Sequence, residues 1–269
     1  MTDLKDTLKA AHGSESGHWY DRDGNPAYTV KAKNGDDRAT TLRDARKLDL
    51  VPSVTSIIKM AAKPQLEIWK QNQVLLAALT LPKEEGENDE SWCKRIIEDS
   101  KQHATQAAAK GAEIHAAIQQ SYEGIPQPDY NDFISGVENV LYEWTGDFPS
   151  TEWLAEASFS HPLGFGGKCD LSAGVVNIGR FVVDFKTKEF GPDDNLKTWD
   201  EHDMQLAAYR VGLGLDNARC AIIYVSVNNP GHAQLVEIPE EKLERGWQMF
   251  YHLLHYWKAV KNFDPAWEA

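Results

Sequence analysis

The sequence predicts an α/β protein of the α+β type, with a central β-sheet flanked by helices and a helical N-terminal region. Helical patterns dominate from about residue 53 to residue 145, and short β-branched or apolar runs bounded by turn residues follow from residue 152. A helical segment near 201–213 then interrupts the strands, and a last helix runs to about residue 261. Helices and strands that are separated along the chain in this way are typical of α+β domains.

The N-terminal half contains one predicted hairpin and four predicted helices. Residues 18–20 and 27–30 flank a turn-prone Asp-Gly-Asn-Pro segment, so we expect a hairpin within residues 13–37. Ser53 is a suitable N-cap for the first helix, and Pro64 is a suitable first residue for the second. The predicted helices cover residues 53–60, 64–79, 90–122 and 129–145, and a loop covers residues 81–89.

The C-terminal half contains the predicted sheet. Its strands cover residues 152–160, 167–176, 180–187, 219–227 and 233–238, and its helices cover residues 201–213 and 239–261. A turn-prone stretch at 174–179 joins two of the strands as a hairpin. The continuous apolar run Phe181-Val182-Val183 is typical of a buried central strand.

The chain has 269 residues, which is enough for one domain with a sizeable core. We expect a single domain, in which residues 1–105 form the hairpin and helical region and residues 106–262 form the core. No apolar run reaches the about 18 residues of a membrane-spanning helix, so no membrane partner is predicted. The acidic residues Asp3 and Asp6 near the start do not fit a signal peptide.

The chain is acidic, with 28 Lys and Arg against 41 Asp and Glu and a net charge of −13. Nucleic-acid binding depends largely on basic side chains, so this charge must be segregated or partly neutralised by cations if the partner is DNA. Seven acids fall within residues 84–99 and predict a solvated face or loop, or a docking surface for a basic partner. The three cysteines, Cys93, Cys169 and Cys220, are scattered and predict neither a disulfide framework nor an iron–sulfur cluster.

Two carboxylates and a lysine stand out beside the buried run. Asp184 and Lys186 are two apart on one predicted strand, so their side chains share a face, and Asp170 lies on the neighbouring strand. A lone carboxylate on a buried strand is costly unless it is paired or binds a metal. The pattern therefore predicts a Mg²⁺ or Mn²⁺ site with an adjacent lysine, which suits phosphodiester hydrolysis. An ordinary ion pair at a strand end is the alternative.

Together with two further motifs, these residues resemble the PD-(D/E)xK nuclease superfamily and, within it, the RecB-type branch. In chain order, the motifs are a helical histidine at His115, a Gly-x-x-Asp that ends at Asp170, an Asp-x-Lys-Thr that ends at Thr187 and a Gln-x-x-x-Tyr that ends at Tyr209. Residues 51–58, followed by Pro64 and Trp69, resemble the entry to phage and mitochondrial genome-maintenance exonucleases. The resemblance covers roughly residues 51–227 and implies a restriction-endonuclease-like core with a central mixed β-sheet.

The resemblance also implies a role for each matching residue. Asp170, Asp184 and His115 would bind the metal, the backbone carbonyl of Phe185 would complete the ligand shell, and Lys186 would be the catalytic lysine. Gln205 would lie near the reacting phosphate, and Tyr209 would support DNA or the core. The alternative for His115 is a packed histidine without a ligand role. The alternative for Gln205 and Tyr209 is a polar helix surface with a half-buried tyrosine.

Other candidates rest on position alone. Glu156, on the strand before Asp170, could accept a hydrogen bond from a metal-bound water or face solvent. Lys188 shares the strand face of Lys186 and could contact a phosphate. Arg43 and Arg46 lie at helical spacing with Lys47, and together they form either a phosphate-contacting face or a merely solvated one. Trp69 and Trp199 are the candidates for base stacking.

The function that these observations predict is a metal-dependent DNA exonuclease in phage or bacterial recombination or repair. Its expected location is the cytoplasm of a bacterial or phage-infected cell, and its main partner is linear DNA with an end. The resemblance adds a single-strand annealing protein as a second partner and leaves a homo-oligomer open. A structure-specific endonuclease of the same fold and a non-catalytic DNA-binding or scaffold protein are the alternatives.

Overall fold

The computed structural model describes residues 17–146, 152–175 and 179–268. Its centre is a mixed sheet of five strands, which in chain order are β5 Leu154–His161, β6 Phe165–Val175, β7 Gly179–Lys188, β8 Arg219–Ser226 and β9 Ala233–Ile238. The strands lie side by side in this same order. All neighbouring strands are antiparallel except β7 and β8, which are parallel. Parallel neighbours need a crossover connection, and the helix at Asp200–Gly212 supplies it.

Seven α-helices lie in the described ranges, and four short strands precede the sheet. The helices are α1 Leu42–Leu48, α2 Val54–Ile58, α3 Pro64–Thr80, α4 Asp89–Tyr122, α5 Asn131–Thr145, α6 Asp200–Gly212 and α7 Glu240–Lys261. A short 3₁₀ helix covers Pro128–Tyr130. The short strands are β1 Trp19–Tyr20, β2 Thr29–Lys31, β3 Asp37–Ala39 and β4 Val51–Pro52. The mixed α+β architecture is therefore the one that the sequence predicts.

Helices cover both faces of the sheet. One apolar cluster joins the sheet to α2, α6 and α7 and includes Val182, Leu206 and Phe250. The other joins it to α4 and α5 and includes Ile114 and Val183. Because Val182 and Val183 point to opposite covered faces, β7 needs apolar residues at consecutive positions. This double burial explains the continuous apolar run that precedes Asp184.

The predicted N-terminal hairpin is reduced to a short turn, and its two strands pair mainly with other segments. Residues Trp19–Tyr20 pair with Val51–Pro52, and Thr29–Lys31 pair with Asp37–Ala39. The two segments that were expected to pair meet only briefly, at the isolated bridge between Tyr20 and Pro26 and at a 2.8 Å hydrogen bond from the N–H of Ala27 to the carbonyl of Trp19. Pro26 has no backbone N–H to donate, which weakens a regular ladder at this position.

Some predictions fall outside the described ranges or remain untested. The turn at residues 176–178 and the start of the predicted hairpin region, residues 13–16, lie outside the part of the chain that the structure describes. The predicted division at residue 105 falls inside α4, and the single-domain organisation stays a prediction. Within the described residues, no helix combines the length and apolarity that crossing a membrane requires.

Candidate active site

Three carboxylates occupy one row across neighbouring strands of the sheet. The β5–β6 pairs Ala155↔Leu171 and Ala157↔Cys169 flank Glu156 and Asp170, which places these two residues side by side. The β6–β7 pairing ends at Leu171↔Val183, so Asp170 and Asp184 come next in register. The regular ladder is interrupted at this row, and the sheet opens where its acidic side chains meet.

A local change of strand direction accompanies the opening. Cys169 packs in the apolar cluster of α6 and α7, whereas Leu171 packs in the cluster of α4 and α5. Residues two apart on a regular strand face the same side, so β6 must twist at Asp170. On the paired strand, Glu156 has a φ of 55°, in the left-handed region that non-glycine residues rarely adopt. Both strands are therefore distorted at the position of the carboxylates, as is common at functional sites.

Asp170 is held by the neighbouring strand and by helix α4. Its Oδ2 accepts a 2.7 Å hydrogen bond from the backbone N–H of Phe185 and lies 3.0 Å from Nε2 of His115. The His115 ring also meets the Phe185 ring edge-on, with 5.8 Å between centroids. The structure thus brings the predicted histidine, Asp170 and Phe185 together.

Asp184 belongs to a second group, on the α6 side of the sheet. Its Oδ1 accepts a 2.7 Å hydrogen bond from Nε2 of Gln205, and its Oδ2 lies 2.5 Å from Nζ of Lys186. Nζ of Lys186 also lies 3.3 Å from Oε1 of Gln205. The Gln205 amide donates to the Tyr209 hydroxyl at 3.0 Å. Gln205 therefore orients both the carboxylate and the lysine, and Tyr209 supports it one helical turn away.

The two carboxylates differ in their electrostatics. Burial raises the pKa of Asp184 to about 6, helped by the charge of Asp170 and opposed by Lys186. Burial also acts to raise the pKa of Asp170, but the charge and hydrogen bond of His115 outweigh it and lower this pKa. In return, the Asp170 charge raises the pKa of His115. Burial acts to lower the pKa of Lys186, yet Asp184 and Asp170 raise it overall, so the lysine is held as a cation. Divergent pKa values in one cluster are typical of catalytic sites.

The donor set fits a hard divalent cation, although its members are not yet gathered around one point. Among the described residues, no three His, Cys, Asp or Glu side chains already form a metal-binding group. They form two pairs instead, Asp170 with His115 and Asp184 with Lys186. Oδ2 of Asp184 is buried and has no aligned hydrogen bond, because its close contact with Lys186 lacks the geometry of one. Two carboxylates and an imidazole suit Mn²⁺ and are compatible with Mg²⁺.

Glu156 contacts a lysine that the sequence analysis did not select. Its Oε2 forms a close ion pair with Nζ of Lys168. A cavity of about 480 Å³ opens here, and its wall includes Glu156, Lys168, Asp170, His115 and Tyr209. Lys168 is two residues before Asp170, and residues two apart on a strand share a face. This spacing is the sequence signal that could have identified Lys168 as a site residue. Its side chain adds a positive charge beside the acidic row.

The other predicted phosphate contacts are not gathered at this cavity. Lys188 lies farther along β7, with Nζ 5.9 Å from the centre of the Tyr224 ring. Arg46 donates a 2.6 Å hydrogen bond from Nη2 to the carbonyl of Lys261, at the C-terminal end of α7. That contact is a helix-capping role, in which a cation meets unpaired carbonyls. Arg43 is exposed on α1.

Gly111 allows α4 to approach β7 closely. A Cβ atom at this position would lie 2.3 Å from Oγ1 of Thr187. One helical turn farther along α4 is His115, which therefore reaches Asp170 only because the helix packs this close. The glycine of the Gly-x-x-x-His pattern has a packing function in the described structure.

Gly111→Ala should lower the free energy of unfolding by about 1–3 kcal/mol, because the added methyl group overpacks this contact. Urea unfolding in EDTA measures the change. The double variant Gly111→Ala/Thr187→Ala is the control, since it removes the clashing hydroxyl and should recover most of the loss. A single variant that is as stable as the parent would contradict the close approach of α4 to β7.

The raised pKa of Asp184 predicts a pH-dependent stability difference between the parent and Asp184→Asn. Because the folded-state pKa lies above the unfolded value, the protonated carboxyl favours the folded state, and this contribution is lost as pH rises through about 6. In EDTA, the parent should therefore lose stability relative to Asp184→Asn between about pH 4 and pH 7. Urea midpoints measured across this range test the sign. Parallel pH profiles would show that Asp184 ionises as an ordinary carboxylate.

Comparisons with known proteins give only distant likenesses. No family model matches the chain, and no curated protein matches it at a significant level. Among solved structures, a protein named SSO0001 is similar with 14% identity and a TM-score of 0.33, over 76% of this chain and 89% of that one. A Eubacterium rectale protein described as a "Putative exonuclease" is similar with 12% identity and a TM-score of 0.39, over 57% of this chain and 68% of that one. At these TM-scores the likenesses carry no argument about activity.

Proposed function

We propose that this protein is a metal-dependent deoxyribonuclease of the PD-(D/E)xK type that hydrolyses phosphodiester bonds from DNA ends. One observation carries the proposal. Asp184 and Lys186 project from one strand onto Gln205, directly beside the Asp170–His115 pair. A buried carboxylate pair with an adjacent lysine cation provides both charge signs that phosphodiester hydrolysis needs.

The ligands of the proposed cation are Asp170, Asp184 and His115, with the carbonyl of Phe185 as a further candidate. A bound Mg²⁺ or Mn²⁺ would supply positive charge to the phosphate oxygens and favour ionisation of a water. His115 must give up its proton to serve as a ligand, and the Asp170 carboxylate now stabilises that proton. Metal binding and proton release are therefore coupled at this pair.

Lys186 is the residue proposed to act on the reacting groups. The Lys186 side chain is a third exposed, whereas the Asp184 side chain is 3% exposed, so the lysine is open to solvent while the buried carboxylate anchors it. From there Nζ can hold the attacking water and offset the negative charge that develops on the phosphate. Gln205 acts as a positioning residue, because it contacts both side chains. No covalent intermediate is required.

DNA is the proposed partner despite the net charge of −13. Lys168 and Lys186 bring positive charge to the acidic row, and Lys188 adds a third cation farther along β7. Few phosphates would be neutralised by so few cations, so binding should be weak and should fall steeply with salt. The cytoplasmic location, the single-strand annealing partner and a homo-oligomer stay predictions from the family resemblance.

Exonuclease action is favoured over endonuclease action by the helical region before the core. Helices α2, α3 and α4 span residues from Val54 to Tyr122, and α4 carries His115. From the family resemblance, we propose that these helices build a channel around a strand end. A relict scaffold would be free to lose one of Asp170, Asp184 and Lys186, and the set is complete.

Digestion of labelled DNA tests this proposal. Linear DNA, single- and double-stranded, should be degraded from an end in Mg²⁺ or Mn²⁺, remain intact in EDTA, and be cut far faster than covalently closed circles. Rapid cutting of closed circles would replace the exonuclease with the endonuclease. Failure to cut any substrate while metal is bound would favour the scaffold.

A further inference from the structure

A second and larger cavity, of about 1000 Å³, lies away from the catalytic one. It opens between the start of α3, the N-terminal end of α6 and one side of α7. Its wall is mostly apolar and includes Leu66, Trp199, Met204, Met249, Leu253 and Tyr256. A concave, mainly apolar cavity with a few polar groups is typical of a site for a flat organic group.

Trp199 is an exposed ring on a fixed backbone. Trp199 is 60% exposed and lies just before the first residue of α6. Its carbonyl accepts hydrogen bonds from the N–H groups of His202 and Asp203, at 2.8 and 3.1 Å. Tyr256, 55% exposed, presents a second ring from α7. An aromatic ring with a free face on a rigid support is the kind of platform on which nucleobases stack.

The charges of this cavity are balanced, unlike those of the whole chain. Three cations, Lys63, Lys242 and Arg245, line it with the acids Asp200, Glu201 and Asp203. Lys63 pairs closely with Glu201, and Arg245 lies 2.6 Å from Asp200. Lys242 instead contacts the Thr198 hydroxyl, with 3.5 Å between Nζ and Oγ1. Because two of the three cations are already paired with acids, the cavity suits a neutral planar group better than a phosphate. A nucleobase is such a group, and its phosphates would remain at the rim.

One turn of α6 connects this cavity to the catalytic cluster. Glu201 lines the cavity, and Gln205, four residues later, contacts Asp184 and Lys186. A helical turn rises by about 5.4 Å, so a DNA strand leaving the catalytic lysine needs only a short step to reach Trp199.

We propose that this cavity binds one unpaired nucleobase of a single-stranded DNA segment, stacked on Trp199, close to the phosphate being cleaved. The inference rests on the proposed nuclease function for its ligand, and it specifies the substrate further as DNA with an unpaired strand. Base identity matters little to stacking, so the site should tolerate all four bases.

Binding without cleavage tests the proposal. The probes are a short single-stranded oligonucleotide and an otherwise identical one with abasic sites, titrated in EDTA by fluorescence anisotropy. The parent should bind the intact probe about 10-fold more tightly than the abasic probe, as stacking predicts. Trp199→Ala should reduce this ratio to near one, and Trp199→Phe should retain most of it. Tyr142→Ala is the matched control, because Tyr142 is 57% exposed on α5 and does not line the cavity.

The outcomes separate this inference from the nuclease function. Equal affinity of the parent for both probes, or a ratio that Trp199→Ala leaves unchanged, overturns the base site even if linear DNA is degraded. A base preference that depends on Trp199 supports the site even if no DNA is cut, and then only the nuclease function fails. Dimerisation that Trp199→Ala abolishes, with no base preference, would assign the cavity to a second copy of the chain.

Discussion

Asp184→Asn is expected to lower the rate of DNA cleavage by about 10³-fold while the protein stays folded. The asparagine keeps the hydrogen bond with Gln205 but removes the charge that would hold a cation and that now lies 2.5 Å from Lys186. Initial rates on end-labelled linear DNA in Mg²⁺ measure the loss, and circular dichroism checks the fold. Lys186→Met should cause a loss of similar size through the missing ammonium.

Two neighbouring substitutions serve as controls for this result. Asp193→Asn changes an exposed carboxylate outside the cluster and should leave the rate unchanged. Lys188→Met removes the next lysine on the same strand face, which contacts Tyr224 instead of Asp184. It should weaken DNA binding and leave the maximal rate near that of the parent. Full activity in Asp184→Asn or Lys186→Met would remove both residues from the catalytic centre.

His115→Ala is expected to increase the Mn²⁺ concentration needed for half-maximal cleavage by about 10–100-fold. The substitution removes one ligand and leaves two carboxylates, so high Mn²⁺ should restore part of the rate. Rates measured over a Mn²⁺ titration give the shift.

The exposed His255 on α7 provides the matched control, since it lies on a different helix from His115. His255→Ala should titrate with Mn²⁺ like the parent. If His115→Ala also does so, the ring next to Asp170 has only a packing role, and the alternative of a buried structural histidine is correct.

The strand that carries the site could be predicted because its sequence pattern has one physical explanation. An apolar run covered on both faces, followed by Asp184 and Lys186, places a charged pair at the end of a buried strand. Gln205 and Tyr209 could be placed on one helix face by their spacing, and in the structure Gln205 contacts Asp184 while Tyr209 contacts Gln205. These inferences need only the periods of a strand and a helix.

Features that depend on tertiary contacts could not be predicted in the same way. The left-handed conformation of Glu156 arises where β5 and β6 twist, and no local residue pattern signals it. Arg46 has the spacing of a phosphate-contacting residue, yet it caps the end of a helix at Lys261, which is 215 residues away in the chain. The sequence pattern around the turn also gave no sign that β1 pairs with a distant segment, Val51–Pro52, in addition to its short contact with Pro26 and Ala27.

Direct binding of Mn²⁺ tests the central claim, which is that Asp170 and Asp184 converge on one divalent cation. Isothermal titration in two buffers of different ionisation enthalpy reports both affinity and proton release. We expect the parent to bind Mn²⁺ and release protons, and Asp170→Asn and Asp184→Asn each to lose about 10-fold or more in affinity. A parent that does not bind Mn²⁺, or an Asp184→Asn variant that binds it as tightly as the parent, would contradict the claim.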